Sequence, residues 1–237
     1  YVSRTLPDCE FAACPIKTEN KIFLEKAEFQ KIRNDVYVEK NTDIKIYLST
    51  ENWPFSDIAY PLSEKKKNKI DKAFEGISFA LKKYPISFLK ENISSIYLMD
   101  DTERDDHSIR GNFDAPSRSI LFATESSKWE GEFEFNTNAI ESLIHHELAH
   151  ILIKKYGLFS DGNFLKKWKG FVPGDFEYYM GRSSDCIADY GAQISDPEKR
   201  CKDGFVSEYS KNSVDEDFAS IAENIFSYQY SLSFWNS

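Results

Sequence analysis

The chain has 237 residues, 41% hydrophobic and 15% aromatic, and its 30 Lys and Arg against 39 Asp and Glu leave a formal charge of −9. That is enough apolar material for a folded core. The acidic balance argues against a nucleic-acid partner and leaves no basic amphipathic stripe for an anionic membrane, and no apolar run approaches the ~18 residues of a membrane span.

Tyr1-Val2-Ser3-Arg4 lacks the basic and apolar regions of a signal peptide, as expected of a mature or trimmed form. Residues 1–40 are expected to be an N-terminal extension packed on one domain spanning 41–237, because no repeat or low-complexity linker divides the remainder. The four cysteines fall into local pairs, Cys9 with Cys14 and Cys186 with Cys201. Four cysteines allow three connectivities, and local pairing is the one favoured here. A Cys186–Cys201 bridge would contribute roughly 3 kcal/mol by closing its loop, and disulfides would place the protein in an oxidising compartment, secreted or periplasmic. Four buried thiols are the alternative.

Alternation of Ile44, Ile46 and Leu48 with polar neighbours predicts a strand over 43–49. A helix is expected from Ser63 to about Tyr84, stopped by Pro85, with Ile70, Ala73, Phe74, Ile77 and Leu81 on its buried side. A second strand is expected over 94–99. The acidic run from Asp100 to His107 lacks the spaced Asp, Asn and Gly of a calcium loop and reads as a solvated loop. Residues 118–124, with Ile120 and Phe122, read as a third strand and are expected to be a sheet edge on which an extended peptide lies. Trp129, Phe133 and Phe135 then dot a long connection, packing it onto the core or rimming a cleft.

The next helix is expected from Asn138, with Glu141 completing a capping box, to Gly157. It reads as amphipathic, with Ile140, Leu143, Ile144 and Ile151 in its apolar stripe and two histidines at the margin. Those histidines belong to an H-E-x-x-H motif, His146-Glu147-Leu148-Ala149-His150. At about 100° per residue, positions four apart lie roughly 40° apart round the helix, so both imidazoles can reach one tetrahedral Zn2+. Glu147 stands one step round the same side, where a carboxylate can act on a water as general base without ligating the metal. His145 points away from the pair, as a supporting or surface residue.

A catalytic zinc site needs a third protein ligand. Only His107, His145, His146 and His150 exist, and Ile153 and Tyr156 stand where a three-histidine pattern needs Gly and His. The third ligand is therefore a downstream carboxylate, or His107 folded back. Glu216 and Glu223 share one face of a predicted helix whose buried side would carry Phe218, Ile221, Ala222, Ile225 and Phe226. Glu216 has a second reading, as the closing residue of the capping box Ser213-Val214-Asp215-Glu216. Asp185 and Asp189 are rival ligands.

Taken together, the H-E-x-x-H helix, Tyr209 and the run Glu216-Asp217-Phe218-Ala219 resemble the catalytic domains of gluzincin metallopeptidases related to anthrax lethal factor and to secreted clostridial proline-proline endopeptidases. The resemblance covers roughly residues 115–230. It implies an α+β, zincin-like domain with a small mixed sheet, an active-site helix and a C-terminal helical part. It also implies that Glu216 is the third zinc ligand and that Tyr209 faces the oxyanion formed during cleavage. Ser220 stands where that family carries a second carboxylate, and Glu223, one turn on, is its candidate replacement. The expected function is zinc-dependent hydrolysis of a protein or peptide substrate. A secreted zinc-binding or adhesion protein without turnover, and a zinc amidase acting on cell-wall material, are the alternatives.

Overall fold

The computed structural model describes residues 22–67, 70–104, 107–123, 137–172, 176–178, 205–207 and 209–227. All four cysteines, Asp185, Asp189, Trp129, Phe133, Phe135 and the side chain of His107 lie outside the described residues. The fold is α+β. Strands β1 (Phe29–Arg33), β2 (Val36–Glu39), β3 (Lys45–Tyr47) and β4 (Ile58–Pro61) precede helices α1 (Glu64–Lys67), α2 (Ile70–Leu81) and α3 (Ile86–Asn92). Strands β5 (Ser95–Arg104), β6 (His107–Ser108), β7 (Gly111–Asp114) and β8 (Ser119–Ala123) follow, and then helices α4 (Thr137–Tyr156), α5 (Gly162–Lys169) and α6 (Val214–Phe226).

The strands form one mixed sheet in the order β1-β2-β3-β5-β8-β7, with β4 and β6 paired to the far part of β5. Strands β3, β5 and β8 are parallel neighbours in which Ile46, Ile96 and Ile120 stand side by side. These isoleucines, with Ile44, Leu48, Leu98 and Phe122, bury one face of the sheet against Ala73, Ile77 and Leu81 of α2 and Ile140, Ile144, Leu148 and Ile151 of α4. The alternate residues Tyr47, Tyr97, Met99 and Leu121 form a smaller core on the other face with Val36 and Phe55. A strand apolar on both faces belongs inside a sheet, which explains one departure from expectation. Ser119–Ala123 is buried throughout and lies between β5 and β7, so the strand expected at the edge is interior and, among the described residues, β7 is the outermost strand on that side.

Three other expectations change. Residues 100–104 continue β5 rather than forming a solvated loop, because β4 pairs antiparallel along them; Asp100 meets Lys66 at 3.1 Å and accepts from the Ser63 amide at 3.0 Å. The helix expected over 63–84 is described as α1 and α2, ending at Leu81, and Pro85 opens α3 rather than merely stopping its predecessor. The long helix α4 is described from Thr137, so Asn138 lies inside it rather than at its cap. The carboxylate of Glu141 meets Lys83 and lies 4.0 Å from the His145 ring. At its other end α4 closes as expected on Gly157, at φ +59°, with the Leu158 amide donating back to Ile153.

Helix α4 is not amphipathic in its setting. Twelve of its residues are buried, the histidines included, because α2, α6 and the sheet surround it. The approach of α2 depends on Gly76, where an added Cβ would lie 2.6 Å from the carbonyl oxygen of Thr137 and 2.9 Å from the Cβ of Ile140. Gly76→Ala should therefore lower stability by about 1–3 kcal/mol. Urea unfolding would show this as a lower midpoint at unchanged slope, and an unchanged midpoint would mean that this contact does not set the helix spacing.

Candidate metal centre

Side chains of α4 and α6 build the site. The Nε2 atoms of His146 and His150 are 3.2 Å apart, and the Oε2 of Glu216 lies 3.1 Å from the first and 3.4 Å from the second. Two ligands held at ~2.0–2.1 Å in a tetrahedron stand about 3.3 Å from each other. The three donor atoms already have the separations that one zinc ion requires, and their N, N, O chemistry suits it. Among the described residues this is the group that could hold a metal.

Helix α6 is shaped to make that contact. Ser213 caps it, its hydroxyl accepting from the Glu216 amide at 3.1 Å. The carboxylate of Glu216 does not return to the cap but turns to the imidazoles. Ala219 and Ser220 are buried, and their small side chains let the two helices approach. One turn on, the Oε2 of Glu223 lies 3.3 Å from the Nδ1 of His146, so carboxylates seven residues apart flank both nitrogens of one ring. Ile225 and Phe226, expected on the buried side, are 41% and 40% exposed because this carboxylate stripe occupies the inner face.

The first turn of α6 is anchored from behind. Asp217 is buried and accepts from the Trp168 indole at 3.0 Å and the Tyr178 hydroxyl at 2.9 Å, while the Phe218 ring packs against those of Trp168, Phe159 and Phe164. Sequence reasoning passed over Asp217, whose only signal is its place beside Glu216. Phe113 was missed as well; its ring stacks on His150 with centroids 4.9 Å apart at 11° and so limits rotation of that imidazole. Tyr209, in the 3-10 turn Tyr209–Lys211, sets its ring centroid 6.0 Å from that of His146.

Glu147 is buried on the same helix, and burial holds its carboxyl above the usual carboxylate range against the opposite pull of His146 and His150. His145 is turned elsewhere and is not a surface residue. It is fully enclosed, its Nδ1 lies 2.7 Å from the Tyr84 hydroxyl, and burial depresses its pKa.

Charge at the site links metal binding to protons. Burial disfavours the His146 cation, but Glu216 and Glu223 outweigh it, so the metal-free ring holds its proton well above the ordinary histidine range. A metal ligand must present a lone pair, so binding expels that proton. Titrating zinc into metal-free protein at pH 7, in buffers of different ionisation enthalpy, should release about one proton per zinc, and affinity should fall as pH falls. Binding without proton release would contradict this.

A model of the family described as "Putative zinc-binding metallo-peptidase" matches residues 23–231. No curated protein and no solved structure gives a match. The matched span includes the motif helix, Tyr209 and α6, and the zinc binding named in the family's description agrees with the donor set formed by His146, His150 and Glu216. The chain belongs to this family of zinc-binding metallo-peptidases.

Proposed function

We propose that the protein is a gluzincin-type endopeptidase in which His146, His150 and Glu216 hold zinc, Glu147 is the general base and Tyr209 stabilises the oxyanion. The observation that carries this reading is the spacing of 3.1–3.4 Å among the three donor atoms, with the buried carboxylate-bearing Glu147 next to His146 on α4. Zinc bound there would supply a Lewis acid that polarises the scissile carbonyl and lowers the pKa of water toward ~7.

The chain's own residues do the rest. Glu147 takes the proton of the attacking water at its carboxylate and hands it to the leaving amine. Its raised pKa is the direction needed by a group that must both accept and donate near neutral pH. Tyr209, on the turn that leads into α6, offers a hydroxyl to the oxyanion, a contribution of roughly 3 kcal/mol where single donors of this kind have been removed from enzymes. Glu223 fixes the His146 ring by facing the nitrogen that Glu216 does not, a supporting arrangement common to metal-bound histidines.

An extended peptide is the substrate that suits this geometry. Strand β7 ends the sheet among the described residues, and its Phe113 touches His150, so a segment pairing along β7 would run beside the proposed ligands. Its main-chain hydrogen bonds would orient the scissile bond with little demand on side-chain identity.

The test is Glu147→Ala. This variant should bind one zinc per chain with parental affinity while cleavage of an unfolded protein such as casein falls by about 10²–10⁴-fold. Cleavage at the parental rate would contradict the assigned role.

A further inference from the structure

Glycine inside a strand weakens it and needs a reason. Gly111, the first residue of β7, does not adopt a positive φ, so its backbone conformation does not require glycine. Space does. A Cβ placed there would lie 2.4 Å from the Oε1 of Glu147 and 2.5 Å from the Cδ1 of Leu143. The carboxylate of Glu147 thus occupies the volume that any other residue at position 111 would fill.

We propose that Gly111 is a positioning residue for catalysis, seating the Glu147 carboxylate in the room left by its missing side chain. The proposal rests on the reading of Glu147 as general base. It goes beyond the motif by assigning a requirement to a different element, since Gly111 lies on the sheet edge and Glu147 on α4. Phe113, two residues on and therefore on the same face of β7, stacks on His150. One strand thereby touches both the base and a metal-ligand candidate. The contrast with Gly76 is instructive: there the nearest atom is a backbone carbonyl, and the cost of a side chain falls on helix packing. At Gly111 both blocking atoms are the ends of flexible side chains, so a methyl group displaces the carboxylate while the backbone can stay.

Gly111→Ala and the double variant Gly111→Ala with Leu143→Ala separate these effects, because the second relieves the apolar clash and leaves the one with Glu147. Both should fold and bind one zinc per chain with parental affinity in a chelator competition. Both should show kcat lowered by about 10²-fold at little-changed KM, as expected for a misplaced catalytic group. A crystal structure of Gly111→Ala should show the Glu147 carboxylate moved from its parental place, a readout that needs no substrate. Parental kcat with Glu147 unmoved would overturn the proposal. So would recovery of kcat in the double variant, which would assign the effect to Leu143, or loss of zinc or of folding in both variants, which would assign Gly111 to the fold. Glu147→Ala, assayed alongside, keeps the two claims apart: if it still cleaves, the role of Glu147 fails whatever Gly111→Ala does.

Discussion

Two imidazoles and a carboxylate from consecutive turns of one helix are buried together, and the structure is arranged around making that tolerable. A polar or charged group removed from water must find a partner or shift its protonation. His146 meets Glu216 at one nitrogen and Glu223 at the other, and the ring of His150 is covered by Phe113. His146, His150 and Glu216 would be satisfied together by one metal ion, whose fixed charge would replace the proton held at His146.

That requirement explains the form of α6. The face toward α4 carries Glu216, Ala219, Ser220, Glu223 and, just past the helix end, Ser227, whose hydroxyl lies 2.8 Å from that of Ser142. Larger residues on this stripe would hold the carboxylates away from the histidines. The apolar rings of α6 flank that stripe, Phe218 in an aromatic cluster with Trp168 of α5 and Phe226, partly exposed, against Tyr84 and the enclosed His145. Rigid support behind the ligands matters for function because a catalytic group held loosely loses much of its advantage. The Asp217 anchor to Trp168 and Tyr178 is that support at the start of the helix.

Much of this was legible in the sequence because it depends on local spacing. Histidines four apart on a helix converge whatever surrounds them, and the scarcity of histidine elsewhere pushed attention to carboxylates on a second helix. Glu216 carried two readings, cap and ligand, and they concern different atoms: its amide is capped by Ser213 while its carboxylate turns to the imidazoles. What could not be read was set by tertiary packing. The apolar pattern of α6 predicts Ile225 and Phe226 inward, but the carboxylates take the centre of that face and leave both residues partly exposed, with Phe226 packed at its margin on Tyr84 and His145. The sequence predicts a sheet edge over residues 118–124, yet Gly111–Asp114, too short and polar to announce itself as a strand, folds back and covers it. For the same reason Gly111 and Phe113 drew no attention: their significance lies in what α4 brings against them.

The proposed chemistry turns on whether α4 and α6 share one zinc ion through three named atoms, which anomalous diffraction at the zinc edge from crystals of the zinc-loaded chain would locate. A single zinc should be bound by the Nε2 atoms of His146 and His150 and by Glu216, with Glu223 against the Nδ1 of His146 and off the metal. Zinc held by Glu223, Asp185, Asp189 or His107 in place of Glu216 would contradict it.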